Sequence, residues 1–168
     1  FKRTQNGWVA DEGKKASYPD HWEQDYHVMV LALRDYMEKT GFTKALLGMS
    51  GGIDSALVAA IACDALGSDN VRLVMLPSKY TSKNSLDDAT NCAKLLGAKI
   101  QTIPISESFN SVLETLEPIF DGLDEDTTEE NIQSRLRGLL LMSLSNKFNE
   151  MLLTTGNKSE VSVGYSTI

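Results

Sequence analysis

One stretch decides the fold: Ala45-Leu46-Leu47-Gly48-Met49-Ser50-Gly51-Gly52-Ile53-Asp54-Ser55-Ala56-Leu57-Val58-Ala59-Ala60. A short apolar run stops at a serine and two glycines, and an alanine-rich helical pattern begins immediately afterwards. This pattern predicts a buried strand, a tight turn and the first turn of a helix. The glycines permit backbone angles that other residues resist, and they let a ligand approach the main chain closely.

The predicted junction has the features of an anion site. Backbone amides in the first turn of a helix lack internal partners and, helped by the helix dipole, favour a negative charge. Phosphate is the obvious candidate, and Ser50 and Ser55 add hydroxyl donors. Asp54 puts a carboxylate beside that phosphate, which makes sense chiefly if a divalent cation lies between them. The alternative is an ordinary turn in which Ser50 or Asp54 caps the helix.

Composition excludes several other classes of protein. A chain of 168 residues, with 42% hydrophobic and 23% charged residues, fits one globular domain. The net charge of −7 argues against a free nucleic acid as partner. No apolar run approaches the ~20 residues of a membrane span, and nothing resembles a signal peptide, so a cytoplasmic protein is expected. Cys63 and Cys92 lie in helical patterns and are expected to be reduced core residues.

The chain before the central stretch divides into a linker and a helix. Residues 1–19 are polar and lack periodicity, which predicts a linker, and residues 20–168 are assigned to the domain. Asp20 is predicted to cap a helix that ends at Gly41. An apolar stripe at helical spacing is expected to pack in the core. It consists of Trp22, Tyr26, Met29, Val30, Leu33, Tyr36 and Met37.

The chain after the central stretch alternates between helices and strands. Strands are predicted at 71–76, 100–105 and 151–155, and helices at 54–66, 82–96, 108–116 and 128–150. Strands separated by helices imply a three-layer α/β fold, with a parallel sheet between two layers of helices. Ligands bind such sheets beyond the carboxyl ends of the strands, where the strand order reverses. If the order is third, second, first, fourth, Asp54 and Glu160 face one crevice, and two acids beside a phosphate predict a Mg²⁺ site.

The SGGIDS string, with no lysine in a GK[ST] pattern, resembles the pyrophosphate-binding loop of the N-type ATP pyrophosphatases rather than a P-loop. Those enzymes split ATP between its α and β phosphates and leave an adenylated substrate. Further blocks narrow the resemblance to the NAD synthetases. They are MLPSKYTS at 75–82, ENIQSRLRG at 130–138, and TGNKSE at 155–160 followed by VGYST at 163–167. The blocks occur in the family's order and cover most of residues 44–168.

The resemblance implies a fold of the Rossmann-like adenine nucleotide alpha hydrolase type and a carbon–nitrogen ligase activity. In the implied reaction, the carboxylate of nicotinic acid adenine dinucleotide (deamido-NAD) is adenylated by ATP with Mg²⁺, and ammonia then displaces AMP to give NAD. A homodimer is also implied. The segment before Lys44 is similar to the junction after a glutaminase domain, so the full-length chain is expected to carry one. The synthetase domain is expected to be incomplete at its C-terminus.

Residue chemistry and family matching together assign residues to roles. The ATP phosphates are assigned to one loop, namely Gly48, Met49, Ser50, Gly51, Gly52, Ile53, Asp54 and Ser55. The resemblance adds Thr155 to the ATP site, and Asn131, Arg135 and Glu160 to the deamido-NAD site. Asp54 and Glu160 are the candidate catalytic residues and metal ligands. From pattern alone, Asn131 and Arg135 would be an exposed helix face.

Two other functions stay open from the sequence. One is another N-type ATP pyrophosphatase that adenylates a different carboxylate or a base. The other is a non-catalytic nucleotide-binding module, which would bind ATP but release no pyrophosphate with any acceptor. Adenylation needs no covalent nucleophile, so the lack of a Ser-His-Asp or Cys-His arrangement is no objection to an enzyme.

Overall fold

Strands and helices alternate along most of the chain. The computed structural model describes residues 1–10, 13 and 17–164. The strands are β1 Lys2–Thr4, β2 Gly7–Val9, β3 Ala45–Gly48, β4 Val71–Met75, β5 Lys99–Thr102 and β6 Met151–Leu153. The helices are α1 His21–Thr40, α2 Ile53–Leu66, α3 Lys83–Leu96, α4 Ser106–Phe120, α5 Thr127–Phe148 and α6 Lys158–Ser162, with a short 3₁₀ helix at Ser68–Asn70.

The main sheet is parallel, and its strand order is β5-β4-β3-β6. Ala45 of β3 lies opposite Val71 of β4 on one side and Met151 of β6 on the other. This is the order under which the sequence analysis places Asp54 and Glu160 at one crevice, and the reversal lies between β3 and β6. The loops that follow these two strands therefore leave the sheet side by side, at its carboxyl edge.

Helices cover both faces of the sheet, as the predicted three-layer fold requires. On one face, Leu47 and Leu73 pack with small residues of α2 and α3, namely Ala59, Ala62, Ala89 and Ala93. On the other face, Leu46 and Val74 are fully buried beneath α5, whose packing residues are Leu140, Leu141 and Leu144. Each fully buried leucine contributes about 1.5–3 kcal/mol to folding.

Helix α1 begins and ends as predicted, but its apolar stripe is only partly buried. Met37 is 2% exposed, and Tyr26, Val30 and Leu33 are half-buried. The prediction that the whole stripe packs in the core is wrong for three residues: Trp22 is 80% exposed, Met29 41% and Tyr36 56%. The physical reason is that α1 packs mainly on α2, and this contact leaves those three side chains in solvent.

Polar contacts hold α1 against the end of α2. The Tyr26 hydroxyl donates to Asp64 Oδ2 at 2.7 Å, and Arg34 Nε donates to the Ala65 carbonyl at 3.0 Å. Burial, together with the hydrogen bond to the Asp64 carboxylate, raises the pKa of Tyr26 to about 12. The phenol therefore stays protonated in the folded protein across the physiological range.

The Tyr26→Phe substitution should lower the free energy of unfolding by about 1 kcal/mol at pH 7, because it removes a hydrogen bond to a charged group. The folded protein holds the Tyr26 proton more tightly than the unfolded chain does. The stabilisation is thus present below about pH 10 and is lost as the pH rises towards about 12. Urea unfolding at pH 7 and across that alkaline range measures both effects. A variant with wild-type stability would contradict this role.

The segment before α1, predicted to be a linker, contains a short hairpin. Strands β1 and β2 form an antiparallel hairpin in which Lys2 lies opposite Val9, and every residue of the hairpin is exposed. At the turn, Gly7 has φ 115°, and the Thr4 hydroxyl donates to its carbonyl at 2.8 Å. With both faces exposed, the hairpin carries no apolar alternation that sequence periodicity could detect.

Some element boundaries also differ from prediction. Strand β5 ends at Thr102 rather than at residue 105, although the Ile103 and Ile105 amides still donate to the carbonyls of Met75 and Pro77. Helix α4 is longer than the predicted 108–116 and contains Pro118. Helix α6 was not predicted.

The two cysteines are free thiols, as expected: Cys63 is buried and Cys92 half-buried. Burial raises the pKa of Cys63. Over the part of the chain that the structure describes, none of the helices combines the length and apolar character needed to cross a bilayer.

Candidate functional site

The loop Ser50–Ser55, here named the SGGIDS loop, joins β3 to α2 at the carboxyl edge of the sheet. Its serines hydrogen-bond within the loop. The Ser50 hydroxyl accepts from the Gly52 amide at 3.1 Å, and the Ser55 hydroxyl donates to the Gly52 carbonyl at 2.9 Å. Ser55 is 2% exposed. The buried Ser55 side chain therefore stabilises the conformation of the loop. The sequence predicts only a phosphate-binding role for it.

The two glycines of the loop are in different environments. Gly51 has φ 85°, and a Cβ built on it would lie 2.3 Å from the Ser85 carbonyl oxygen. Gly52 has φ −85°, and its Cβ would lie 3.2 Å from the Ser50 hydroxyl. Only glycine fits at position 51, because the loop there rests directly on the backbone of α3.

The start of α2 is open to a ligand. Gly52 precedes the helix and has no side chain that could cap its first amides. Ile53 and Asp54 follow on the surface, with Ile53 80% exposed. Asp54 is thus exposed at the start of the helix, where the sequence predicts a phosphate site that includes a cation.

A cavity of about 330 Å³ lies beside the loop. Its walls come from the ends of β3 and β4, the start of α3 and one side of α5. The lining residues are Gly48, Met49, Ser50, Val74, Met75, Leu76, Pro77, Thr81, Ser85, Leu86, Arg137 and Leu141. The volume and the largely apolar lining, with a few polar groups, are typical of a small-molecule site.

Arg137 contributes the guanidinium of this cavity, although the sequence did not predict this residue as part of the site. Its Nε donates to the Leu76 carbonyl at 3.1 Å, and its Nη2 lies 3.5 Å from Gln133 Oε1. Burial lowers the pKa of Arg137. The signal was present in the string Arg135-Leu136-Arg137, since residues two apart on a helix point to different sides. Arg137 faces the cavity, whereas Arg135 is exposed.

Asn131 and Arg135, predicted to bind deamido-NAD, lie four residues apart near the start of α5. Asn131 is half-buried and Arg135 is exposed. Residues at this spacing share one side of a helix. Neither side chain lines the cavity beside the SGGIDS loop.

The second predicted segment follows β6. Thr155 is half-buried, and Glu160 lies in the first turn of α6. Glu160 Oε2 accepts from the Asn157 amide at 3.0 Å, and Asn157 Oδ1 accepts from the Glu160 amide at 3.0 Å. One oxygen of the predicted metal ligand is thus part of a capping box. Residues 165–167 of the predicted block lie outside the described residues.

The two predicted acids are brought to the same edge of the sheet, because β3 and β6 are neighbours. Within residues 1–10, 13 and 17–164, no three His, Cys, Asp or Glu side chains are grouped to hold a metal ion. Mg²⁺ commonly binds through one or two carboxylates plus substrate phosphates rather than in an all-protein cage. The donors present fit that second mode.

Comparison of the sequence with known proteins identifies similar NAD synthases. The model of the NAD synthase family matches residues 25–168. The glutamine-dependent NAD(+) synthetase of Rhodobacter capsulatus is 57% identical over 161 residues, which is 96% of this chain. That of Thermotoga maritima is 52% identical over 150 residues, or 89% of this chain. The chain spans 29% and 26% of the length of these two relatives.

Two solved structures of NAD synthetases are similar to this chain in fold. Glutamine-dependent NAD+ synthetase from Acinetobacter baumannii, in complex with ADP, is 48% identical with a TM-score of 0.89, covering 93% of this chain and 30% of that one. NH3-dependent NAD synthetase from Campylobacter jejuni is 28% identical with a TM-score of 0.80, covering 89% of this chain and 63% of that one. Sequence blocks, strand order and these similarities agree, and the chain belongs to the NAD synthase family.

Proposed function

We propose that this chain carries the synthetase site of an NAD synthetase, a carbon–nitrogen ligase that converts deamido-NAD to NAD with ATP and ammonia. The observation that carries the proposal is the uncapped start of α2 at the SGGIDS loop, with the cavity beside it, in a chain of this family. The loop supplies amides for phosphates, and the cavity offers apolar walls for a base.

ATP is proposed to bind to both the SGGIDS loop and the cavity beside it. Its phosphates would contact the amides of residues 48–55 and the Thr155 hydroxyl, and its adenosine would fill the cavity. The ADP bound to the Acinetobacter baumannii relative supports a nucleotide here. Arg137 then forms one wall, held in place by its bond to the Leu76 carbonyl.

Magnesium is proposed to bind between the ATP phosphates and the carboxylates of Asp54 and Glu160. Asp54 is exposed at the start of α2, and Glu160 Oε2 is already held by the Asn157 amide. The metal would neutralise charge that develops on the departing pyrophosphate. Preorganised amides of the SGGIDS loop stabilise the same charge without having to reorient.

The proposed reaction has two balanced steps. A carboxylate oxygen of deamido-NAD forms a bond to the α phosphorus of ATP, and the bond between that phosphorus and the bridging oxygen breaks to release pyrophosphate. Ammonia then attacks the acyl carbon, the carbon–oxygen bond breaks, and AMP leaves with the former carboxylate oxygen while the nitrogen loses a proton. The chain's main task is to align the carboxylate with the phosphorus, where good orientation contributes about 7–11 kcal/mol.

Asn131, Arg135 and Glu160 are proposed to hold deamido-NAD. The first two lie outside the ATP cavity, on a part of α5 that a second molecule could reach. We also propose a cytoplasmic homo-oligomer, and a glutaminase domain in the full-length protein as the source of ammonia. The names of the relatives, which are glutamine-dependent enzymes, support this source.

A panel of acceptors tests the proposed substrate. The full-length polypeptide that carries this sequence is supplied with ATP and Mg²⁺, and pyrophosphate is measured with deamido-NAD, xanthosine monophosphate or aspartate. We expect release only with deamido-NAD. Release with another acceptor would indicate a different N-type ATP pyrophosphatase, and ATP binding without release for any acceptor would indicate a non-catalytic module.

A further inference from the structure

An ion pair between a half-buried arginine and a buried glutamate lies near the amino ends of the strands, at the opposite edge of the sheet from the SGGIDS loop. Arg72 Nε donates to Glu150 Oε2 at 2.6 Å, and Arg72 Nη2 donates to Glu150 Oε1 at 2.9 Å. Glu150 is only 3% exposed, and 78 positions separate the two residues. The proposed chemistry uses neither side chain.

The pair is held from several sides. Arg72 also donates to Gln101 Oε1 at 2.8 Å, and its guanidinium carbon lies 4.5 Å from the centre of the Phe148 ring. The Glu150 amide donates to the Ser145 carbonyl at 3.1 Å, and the Ser145 hydroxyl donates to the Glu150 carbonyl at 2.7 Å. Glu150 is therefore fixed between the end of α5 and the start of β6.

Strand β6 needs such a fixed point, because its own sequence does not specify its register. Met151, Leu152 and Leu153 are all apolar and half-buried. A slip of one residue would leave two of the three paired positions apolar and would bring Thr154 or Glu150 into the third. Hydrophobic alternation, which normally fixes register, is thus absent here. The same slip would pull the Glu150 carboxylate away from Arg72 and leave a buried charge without its partner.

A slip of β6 would also displace residues of the candidate site. Each residue of a strand advances the chain by about 3.3 Å, so the segment Thr155–Glu160 would move by that distance relative to the SGGIDS loop. We infer that Arg72 and Glu150 are a positioning pair, which sets the register of β6 and thereby the place of Thr155 and Glu160. The kinetic consequence of this inference rests on the proposed function, whereas its structural consequence does not.

The pair could instead only stabilise the fold, and a double substitution separates the two roles. Replacing a buried ion pair with apolar residues of similar size is often neutral or stabilising, whereas removing one partner strongly destabilises. The variants are Arg72→Met, Glu150→Leu and the double variant. The matched control makes the same changes at the exposed pair of α1, with Asp35→Leu and Lys39→Met, whose charged atoms lie 2.6 Å apart.

All variants are made in the full-length polypeptide that carries this sequence, and each is measured in three ways. Thermal unfolding reports stability. Amide hydrogen exchange of β6, whose Met151 amide donates to the Lys44 carbonyl at 2.8 Å, reports register independently of activity. Pyrophosphate release with ATP and saturating deamido-NAD reports kcat, and titration of each substrate reports KM.

We expect the single variants to be destabilised and the double variant to recover a wild-type melting temperature. In the double variant, exchange protection should fall selectively in β6 while β3 and β4 stay protected. The kcat should fall by about 100-fold, as a displacement of reacting groups predicts, and the KM for ATP should rise because Thr155 moves away from the phosphates. The control variant should match wild type in all three measurements.

A double variant that recovers stability, β6 protection and kcat together would overturn the inference and leave a purely stabilising pair. If the double variant does not recover its stability, the exchange pattern of the natively folded fraction decides: protection lost uniformly, rather than in β6 first, contradicts the inference. A wild-type protein that releases no pyrophosphate with deamido-NAD would refute the proposed function instead. The hydrogen-exchange result would still test whether the pair sets the register of β6.

Discussion

Gly51→Ala is expected to abolish ATP binding and to destabilise the protein by about 3 kcal/mol, one of the larger effects for a single substitution. The added Cβ would lie 2.3 Å from the Ser85 carbonyl oxygen, which is backbone and cannot rotate away. The φ of 85° at Gly51 adds strain for any other residue. The loop would have to leave α3, and its amides would no longer converge on a phosphate.

Gly52→Ala is the matched control for this prediction. Its φ of −85° suits alanine, and its nearest contact, at 3.2 Å, is the hydroxyl of Ser50, which can move. We therefore expect a stability change below about 1 kcal/mol. Valine at either glycine should abolish ATP binding, because its larger side chain would displace the loop from Ser85 at position 51 or from Ser50 at position 52. Calorimetric titration with ATP and thermal unfolding provide the comparison, and equal behaviour of the two alanine variants would contradict the packing described here.

Asp54→Asn should reduce pyrophosphate release by about 100-fold or more while the protein stays folded. The change keeps the shape of the side chain and removes the charge proposed to hold Mg²⁺. Since Asp54 is exposed at the start of α2, the stability lost with its favourable helix-dipole interaction is about 1 kcal/mol or less.

Asp87→Asn, on an exposed position of α3, controls for the loss of one surface charge. The Asp54 variant should also need a higher Mg²⁺ concentration for half-maximal rate, whereas the Asp87 variant should not. Near-native release by the Asp54 variant at ordinary Mg²⁺ concentrations would refute the metal assignment.

The parts of the molecule that the sequence predicts correctly depend on local chemistry. Strand, glycine turn and helix follow one another along residues 45–66, as their local pattern predicts. The capping box of α6 was also visible, since Asn157 and Glu160 have the spacing of such a box. It was overlooked because the block match gave Glu160 a metal role.

Other features depend on which elements become neighbours, and no local pattern contains that information. Periodicity predicts the apolar stripe of α1, but only the packing against α2 decides that Trp22 and Tyr36 are exposed while Met37 is buried. The pair Arg72 and Glu150 joins residues 78 positions apart. In the sequence each is a single charge beside apolar residues, for which solvent exposure is the default expectation.

Transfer of an oxygen isotope tests the central claim most directly. The full-length polypeptide is supplied with ATP, Mg²⁺, ammonia and deamido-NAD whose nicotinate carboxylate is labelled with ¹⁸O, and the products are examined by mass spectrometry. If the carboxylate attacks the α phosphorus of ATP, each AMP formed carries one ¹⁸O atom and pyrophosphate carries none. Label in pyrophosphate or in inorganic phosphate, or unlabelled AMP formed together with NAD, would contradict adenylation at this site.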